Sequence, residues 1–397
     1  MGSPLRLALT TYSVKPRGGV VHTLELAEAL QAEGVDVTVV ALSENGRGFF
    51  REVDVPVHLV DAPEPAATLE ERVFDSIAAL TTALGEIGHR FDIVHSQDCI
   101  SARAAARVRD AGTPYRVIRT VHHVDDFTTQ ALIDCQRNAI LEPDDVLVVS
   151  RGWQQQLLDD YAVKADIVTN GVRTDRFGAG ITEQRRQELR DRIGAGDRFL
   201  YLTVGGIEPR KGTVHLIDAL AQLKATHPHP PMLAIVGGHS FQDYRAYRQG
   251  VLDSLESNGL RLDEDVVLLG TVSHEELPEW FAAADGFAFP SIKEGWGLVV
   301  LEAMAAGLPV VTSDIDVFHE FLTHERDALM TRAGDSDSLS QGLARLVDDA
   351  ATRQRLAERG PKVAASYSWA GTAAQHLDVY RRALDSASPE PVRPSTS

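Results

Sequence analysis

The chain alternates short apolar segments with amphipathic stretches along almost its whole length. The first repeat is an apolar segment at 5–10, a loop containing Gly18-Gly19, and a stretch at 20–31 with apolar residues every third position. That spacing is typical of one face of a helix, and the short segments are typical of buried strands. Repetition of strand, turn and helix predicts parallel sheets that are covered by helices on both faces.

The alternation is interrupted by a polar, charged stretch at 178–198 and then restarts. Both halves contain a strand followed by a Gly-Gly loop and a helix, which predicts two Rossmann-like doubly wound domains. A last helix is expected near 369–384, and the Ser- and Pro-rich end at 386–397 is expected to be disordered. The predicted strands are 5–10, 35–42, 92–96, 115–121, 146–150, 166–169, 199–204, 232–236, 266–269, 286–289 and 309–312.

Charge and cysteine content exclude several classes of protein. Acidic residues outnumber basic residues 57 to 39, and the excess is divided equally between residues 1–180 and 181–397. Nucleic-acid binding needs a basic face, so no nucleic-acid partner is expected. Cys99 and Cys135 are too few for a disulfide framework or a four-thiolate zinc site. With no apolar run of ~18 residues and no signal-peptide core, a cytoplasmic location is expected.

Ligands of doubly wound sheets bind beyond the carboxyl ends of the strands, so the loops there are the candidates for chemistry. In the loop after 286–289, Gly295 and Gly297 let the backbone approach a ligand, and the following helix start favours an anion. Glu302, one turn into that helix, suits paired hydroxyls such as those of a ribose, and Glu294 suits another hydroxylated group. Each carboxylate alone is more often a solvated residue. A hydrolytic carboxylate pair is a weaker alternative, because glycines and a helix start favour an anionic ligand.

Three further loops carry candidates. Arg210 and Lys211 follow the strand at 199–204, where they can neutralise a diphosphate leaving group. His122, at the end of the strand 115–121, can contact a substrate or move a proton, although a core histidine is the common alternative. The Gly18-Gly19 loop is by itself equally compatible with a plain turn.

At these residues the sequence resembles the retaining glycosyltransferases of family 4, which have the GT-B fold. The segment from Glu294 to Glu302 resembles the E-x7-E motif of that family. Residues 170–177 resemble its NGVD-type segment between domains, and residues 209–212 resemble its phosphate-binding loop. The resemblance implies two Rossmann-like domains facing a central cleft, at 1–172 and 173–367, with a helix at 368–385 packing back on the first domain.

The resemblance also implies a retaining transfer from a nucleotide-sugar donor that is bound mainly by the second domain, with no metal or other cofactor. Glu302 would hold the ribose, and Glu294, a catalytic candidate, would hold the donor sugar. Gly19 and the catalytic candidate His122 would close the site from the first domain. The expected diphosphate-binding groups are Arg210, Lys211 and the loop and helix start at Gly295, Gly297 and Leu298.

Two departures from the family pattern affect individual residues. Gly205-Gly206 stands where many members have Gly-Arg, so phosphate binding would depend on Arg210 and Lys211. His123 competes with His122 for the role of the first-domain histidine.

Other functions and partners stay open. A GT-B nucleotide-sugar epimerase and a non-catalytic nucleotide-sugar-binding partner are the alternatives. The acceptor is open among small molecules, glycans and lipids, and so are the base and the sugar of the donor. Three arginines in 103–109 leave open a weak peripheral membrane contact, against an ordinary solvated helix face.

Overall fold

The structure, a computed structural model, describes residues 4–64, 66–238 and 244–387. The chain forms two compact units. Unit 1 runs as far as Asn170 and resumes at Trp369, and unit 2 is Gly171–Ser368. The boundaries therefore lie two residues before and one residue after those expected at 172 and 367.

Unit 1 contains a parallel sheet in the order β3-β2-β1-β4-β5-β6-β7. Its inner strands are buried almost throughout because helices cover both faces. The strands are β1 Arg6–Thr11, β2 Asp36–Ser43, β3 Val57–Asp61, β4 Ile93–Ser96, β5 Arg116–Val121, β6 Asp145–Val148 and β7 Asp166–Ile167. The helices are α1 Gly18–Ala32, α2 Leu69–Ile87, α3 Cys99–Asp110, α4 Gln130–Leu141 and α5 Arg151–Tyr161, with 3-10 turns at Glu44–Gly46 and Gly88–Arg90.

Unit 2 repeats the arrangement with a parallel sheet in the order β10-β9-β8-β11-β12-β13. Its strands are β8 Leu200–Val204, β9 Met232–Val236, β10 Val266–Gly270, β11 Gly286–Phe289, β12 Val310–Asp314 and β13 Leu329–Arg332. Its helices are α6 Thr174–Phe177, α7 Glu183–Arg192, α8 Thr213–Thr226, α9 Arg245–Ser257, α10 Glu276–Ala283, α11 Leu298–Ala305, α12 Asp316–His319, α13 Ser336–Asp348 and α14 Ala350–Ala364, with a 3-10 turn at Pro209–Lys211.

The last helix, α15 Trp369–Ala387, returns to unit 1 and packs against α1. Tyr380 is fully buried, and its hydroxyl lies 2.7 Å from Nδ1 of His95 on β4. The helix continues through two residues that were expected to begin the tail, Ser386 and Ala387. The rest of that expected tail, 388–397, lies outside the described residues.

Unit 2 has the doubly wound order 3-2-1-4-5-6, and unit 1 has the same order with β7 added beside β6, so the prediction of two Rossmann-like domains is confirmed. In this order the chain reverses direction across the sheet between β1 and β4 in unit 1, and between β8 and β11 in unit 2. Ligands of such sheets bind at this switch point. The loops that follow these strands are therefore the places to look for a site.

Candidate active site

The loops after β8 and β11 meet at the switch point of unit 2. The backbone N–H of Ile292 donates to the carbonyl of Arg210 at 2.8 Å. Gly212 has a φ of +66°, and a Cβ atom at this position would lie 2.1 Å from the carbonyl oxygen of Pro290. Only glycine combines that backbone conformation with so close an approach, so Gly212 holds the two loops together.

Glu294 lies between the two cations of the β8 loop. Its Oε1 accepts from Nη1 of Arg210 at 2.8 Å and also contacts Nζ of Lys211. A second carboxylate, Glu208, contacts Nε of Arg210 at 3.0 Å. The four side chains carry no net formal charge. The structure therefore brings Arg210, Lys211 and Glu294 into direct contact, and it adds Glu208, which the sequence analysis did not select.

Lys211 is the more enclosed of the two cations. Its side chain is 14% exposed against 38% for Arg210, and its ammonium lies 4.5 Å from the centroid of the Phe289 ring. Burial lowers the pKa of Lys211, although the Glu294 carboxylate opposes that shift. An ammonium that has already lost most of its water interacts strongly with an anion placed beside it.

The start of α11 contributes backbone donors to the same region. Gly297 has a φ of +90°, and a Cβ atom there would lie 2.6 Å from Cε1 of Phe318. The first N–H groups of a helix have no partner within the helix. The N–H of Val300 bonds the carbonyl of Gly297 at 2.9 Å, and that of Leu298 suits an anion. Glu302 lies one turn further along and is buried, and Gly295 lies in the loop before the helix. The predicted residues of unit 2 thus lie on two neighbouring loops and one helix.

Two predicted residues belong to unit 1. A Cβ atom at Gly19, in the first turn of α1, would lie 3.8 Å from Cδ2 of His122 at the end of β5. Burial, reinforced by His123 and His95, lowers the pKa of His122 to about 3. The side chain of His123 is half-exposed, and its Nε2 lies 3.4 Å from Oδ1 of Asp125. Of the two adjacent histidines, it is His122 that lies against the Gly18-Gly19 loop.

Three buried histidines of unit 1 were not among the predicted site residues: His22, His95 and His376. Together with His122 they form a histidine cluster, in which the His22 and His122 ring centroids lie 4.6 Å apart. Two sequence features could have indicated them: a histidine inside a buried strand at position 95, and a histidine in an apolar helix at position 22. Their proximity to residue 376 depends on the return of α15, which no local pattern indicates.

Two findings concern metals and membranes. Within the described ranges, no group of three or more His, Cys, Asp or Glu side chains is arranged to hold a metal ion. None of the described helices has the length and apolar character needed to cross a membrane. On α3, Arg103 pairs with Glu142, and Arg109 lies 3.1 Å from Asp144, so two of the three arginines in 103–109 are engaged within unit 1.

Known proteins are similar to this chain in both sequence and fold. Residues 16–176 match the family model "Glycosyltransferase Family 4", and residues 185–363 match "Glycosyl transferases group 1". A D-inositol 3-phosphate glycosyltransferase of Nocardioides sp. is 30% identical over 92% of this chain and 85% of its own. An uncharacterised glycosyltransferase of Methanocaldococcus jannaschii is 26% identical over 96% and 99%. Anabaena HepE, solved with UDP and glucose, superposes with a TM-score of 0.80 at 19% identity, covering 95% and 99%.

Proposed function

We propose that this chain, which belongs to the group 1 and family 4 glycosyltransferases, moves a hexose-like sugar from a nucleotide-diphosphate-sugar donor to an acceptor hydroxyl. In this proposal the transfer retains the configuration of the sugar and needs no metal ion. The observation that carries the proposal is the convergence of Arg210, Lys211 and the start of α11 at the switch point of unit 2. These groups can stabilise the negative charge that develops on a departing diphosphate.

The donor diphosphate lies, in this proposal, beside Arg210 and Lys211 and against the N–H groups of Gly297 and Leu298. These cations and amides supply the neutralisation that a metal ion would otherwise supply. Gly205 and Gly206 offer no side-chain cation, so Arg210 and Lys211 bear that part of the binding.

The sugar and the ribose are assigned to the two carboxylates of the E-x7-E segment. Glu302 accepts hydrogen bonds from the ribose hydroxyls, because helical side chains lean towards the helix start. Glu294 accepts from hydroxyls of the transferred sugar, together with the backbone at Gly295. In unit 1, Gly19 and His122 are assigned to the donor sugar, and the proximity of His122 to Gly19 favours it over His123.

Retention is proposed to follow from a front-face reaction. Glu294 is a poor candidate for a covalent nucleophile, because its Oε1 is already shared between Arg210 and Lys211. The departing phosphate then helps to take the proton of the acceptor hydroxyl. In this scheme the site residues hold the donor and its charge, and the donor itself supplies the base.

The first experiment identifies the donor. UDP-, GDP- and ADP-sugars are screened by thermal shift, since a bound ligand raises the stability of the folded protein. Turnover is then measured with a panel of acceptors. The panel includes inositol phosphates, because the Nocardioides relative is named a D-inositol 3-phosphate glycosyltransferase. Anomeric NMR of the product reports retention or inversion, and turnover in the presence of a chelator tests the independence from metal.

Kinetics of Arg210→Ala, Lys211→Ala and Glu302→Ala then test the site. We expect each to lower kcat/KM by about 100-fold, the usual loss when a donor to a developing negative charge or a comparable binding group is removed. Lys224→Ala, outside the site on α8, is the control. Unchanged kinetics in all three variants would contradict the proposal. Epimer formed from the nucleotide sugar alone would indicate the epimerase, and tight binding without turnover across the panel would indicate a binding partner.

A further inference from the structure

The histidine cluster of unit 1 contains two ring nitrogens whose protonation is fixed by their neighbours. Nδ1 of His22 lies 2.8 Å from Oδ1 of Asn170, and Nδ1 of His376 lies 2.8 Å from the carbonyl oxygen of Thr372. Both partner oxygens can only accept, so each Nδ1 carries the proton and donates it. In both neutral rings Nε2 is therefore a lone-pair acceptor.

Gln97 supplies a third polar atom to this cluster. Its Oε1 lies 3.0 Å from Nε2 of His122. Its amide Nε2 is buried, as are Nε2 of His22 and Nε2 of His376, and none of the three has a hydrogen-bond partner among the described residues. The three side chains are at most 4% exposed. Buried polar atoms of this kind are normally satisfied by an ordered water.

A single water molecule that joins these three atoms is part of the arrangement we propose. It accepts from the Gln97 amide N–H and donates to Nε2 of His22 and to Nε2 of His376. The His22 and His376 ring centroids are 6.0 Å apart, a separation that two hydrogen bonds of about 2.8 Å through one oxygen can span. If the amide were reversed, three acceptors would compete for two water protons. With that water in place, the orientation found in the structure, in which the oxygen of Gln97 faces His122, is the favoured one.

The orientation of Gln97 determines what His122 presents to a ligand. We propose that Gln97 is a positioning residue: a buried water shared with His22 and His376 orients its amide, whose oxygen holds the proton of His122 on Nε2 and leaves Nδ1 to accept a hydrogen bond from a sugar hydroxyl. The reversed amide would place the proton on Nδ1 and turn His122 into a donor. The proposal rests on the proposed function only in taking His122 as a ligand-contacting residue.

The test is the tautomer of His122 in the full-length protein, read at neutral pH from the 15N chemical shifts of labelled histidines. The His122 signals are assigned by comparison with His122→Asn. We expect the Nε2–H tautomer in the wild type. We expect a mixture of tautomers in Gln97→Met, with kcat lowered about five- to tenfold and the donor KM little changed, the scale of one lost hydrogen bond.

Gln136→Met is the matched control, because Gln136 is another buried glutamine of unit 1 whose amide bonds the backbone of Asp125. Its loss is expected to leave the His122 tautomer unchanged. A wild-type Nδ1–H tautomer, or an unchanged tautomer in Gln97→Met, would overturn the proposal. The wild-type spectrum decides even where a variant fails to fold. The spectrum needs no substrate, so failure of the proposed transfer reaction is distinguishable from failure of this inference.

Discussion

Arg210 and Lys211 share one carboxylate oxygen of Glu294, so the positions of the three side chains depend on one another. One carboxylate oxygen of Glu294 contacts both Arg210 and Lys211, which lie 84 and 83 residues away in sequence. The sequence predicted each of these residues separately, because each follows a strand and precedes a helix. It could not predict that they contact one another, since that contact depends on the close approach of two loops at Gly212.

The lowered pKa of Lys211 predicts how activity declines at high pH. Because the neutral amine is favoured in the folded protein, positive charge at this site is lost at a lower pH than for an exposed lysine, whose pKa is about 10.4. In Lys211→Arg the charge persists, since guanidinium does not lose its proton in this range. We expect the alkaline fall in kcat/KM, which reports the free enzyme, to move to higher pH in this variant.

The control for that profile is Lys224→Arg, which makes the same change on α8 away from the site. It is expected to leave the alkaline limb where it is in the wild type. If Lys211→Arg also leaves it unchanged, Lys211 does not set the alkaline limit.

Gly297 gives a second prediction for a single residue. Alanine at this position would combine a φ of +90° with a contact to Phe318, so the start of α11 must shift. Strain of this kind costs about 1–3 kcal/mol, and we expect the KM for the donor to rise by about tenfold or more. Gly250→Ala in α9, where a Cβ atom meets nothing within 4 Å, is the control and should leave the KM unchanged. An unaltered donor KM in Gly297→Ala would exclude a donor contact at this helix start.

Among the elements, the inner strands and the edge strands β7 and β10 were predicted, whereas the edge strands β3 and β13 were not. An inner strand such as β9 is buried on both faces, so its sequence is a continuous apolar run. The side chains of β3 are half-buried or exposed, and the short β13 ends on the exposed Arg332. The positions of β3 and β13 depend on pairing with a neighbouring strand, and that pairing leaves little trace in a sequence of four or five residues.

The start of α2 is an element whose stability can be tested alone. The side chain of Thr68 accepts from the backbone of Glu71, and the Glu71 carboxylate accepts from the backbone of Thr68, which forms a capping box. We expect Thr68→Ala to lower the local stability of α2 by about 1 kcal/mol, measured by hydrogen exchange of its amides. Thr82→Ala, at an exposed position inside the same helix, is expected to change it by less than about 0.5 kcal/mol. Equal effects of the two variants would contradict a capping role.

At the scale of the whole molecule, the histidine cluster makes unit 1 sensitive to acid. Burial lowers the pKa of His22 and of His95 well below 6.5, that of His122 to about 3 and that of His376 to about 4. Between these values and about 6.5 the unfolded chain binds more protons than the folded one. The stability that these rings contribute is therefore complete above pH 6.5 and is lost progressively as the pH falls.

His376→Phe isolates one of these contributions. Each histidine contributes about 1.4 kcal/mol per pH unit, so the loss of stability between pH 7 and pH 5 should be smaller by about 2 kcal/mol in this variant. Hydrogen exchange of the β1 and β4 amides measures it within unit 1. His229→Gln, at an exposed position in unit 2, is the control. A wild-type pH dependence in His376→Phe would show that this ring does not resist protonation.

The return of α15 to unit 1 has a consequence for the order in which the protein is made on the ribosome. Residues 171–368 form unit 2 from one continuous stretch, whereas His95 of unit 1 meets Tyr380 across 285 residues. During translation unit 2 has all its residues outside the exit tunnel before unit 1 receives its last helix. Until α15 emerges, the surface of unit 1 against which it packs stays uncovered. Such exposed apolar surface is what chaperones bind in a nascent chain.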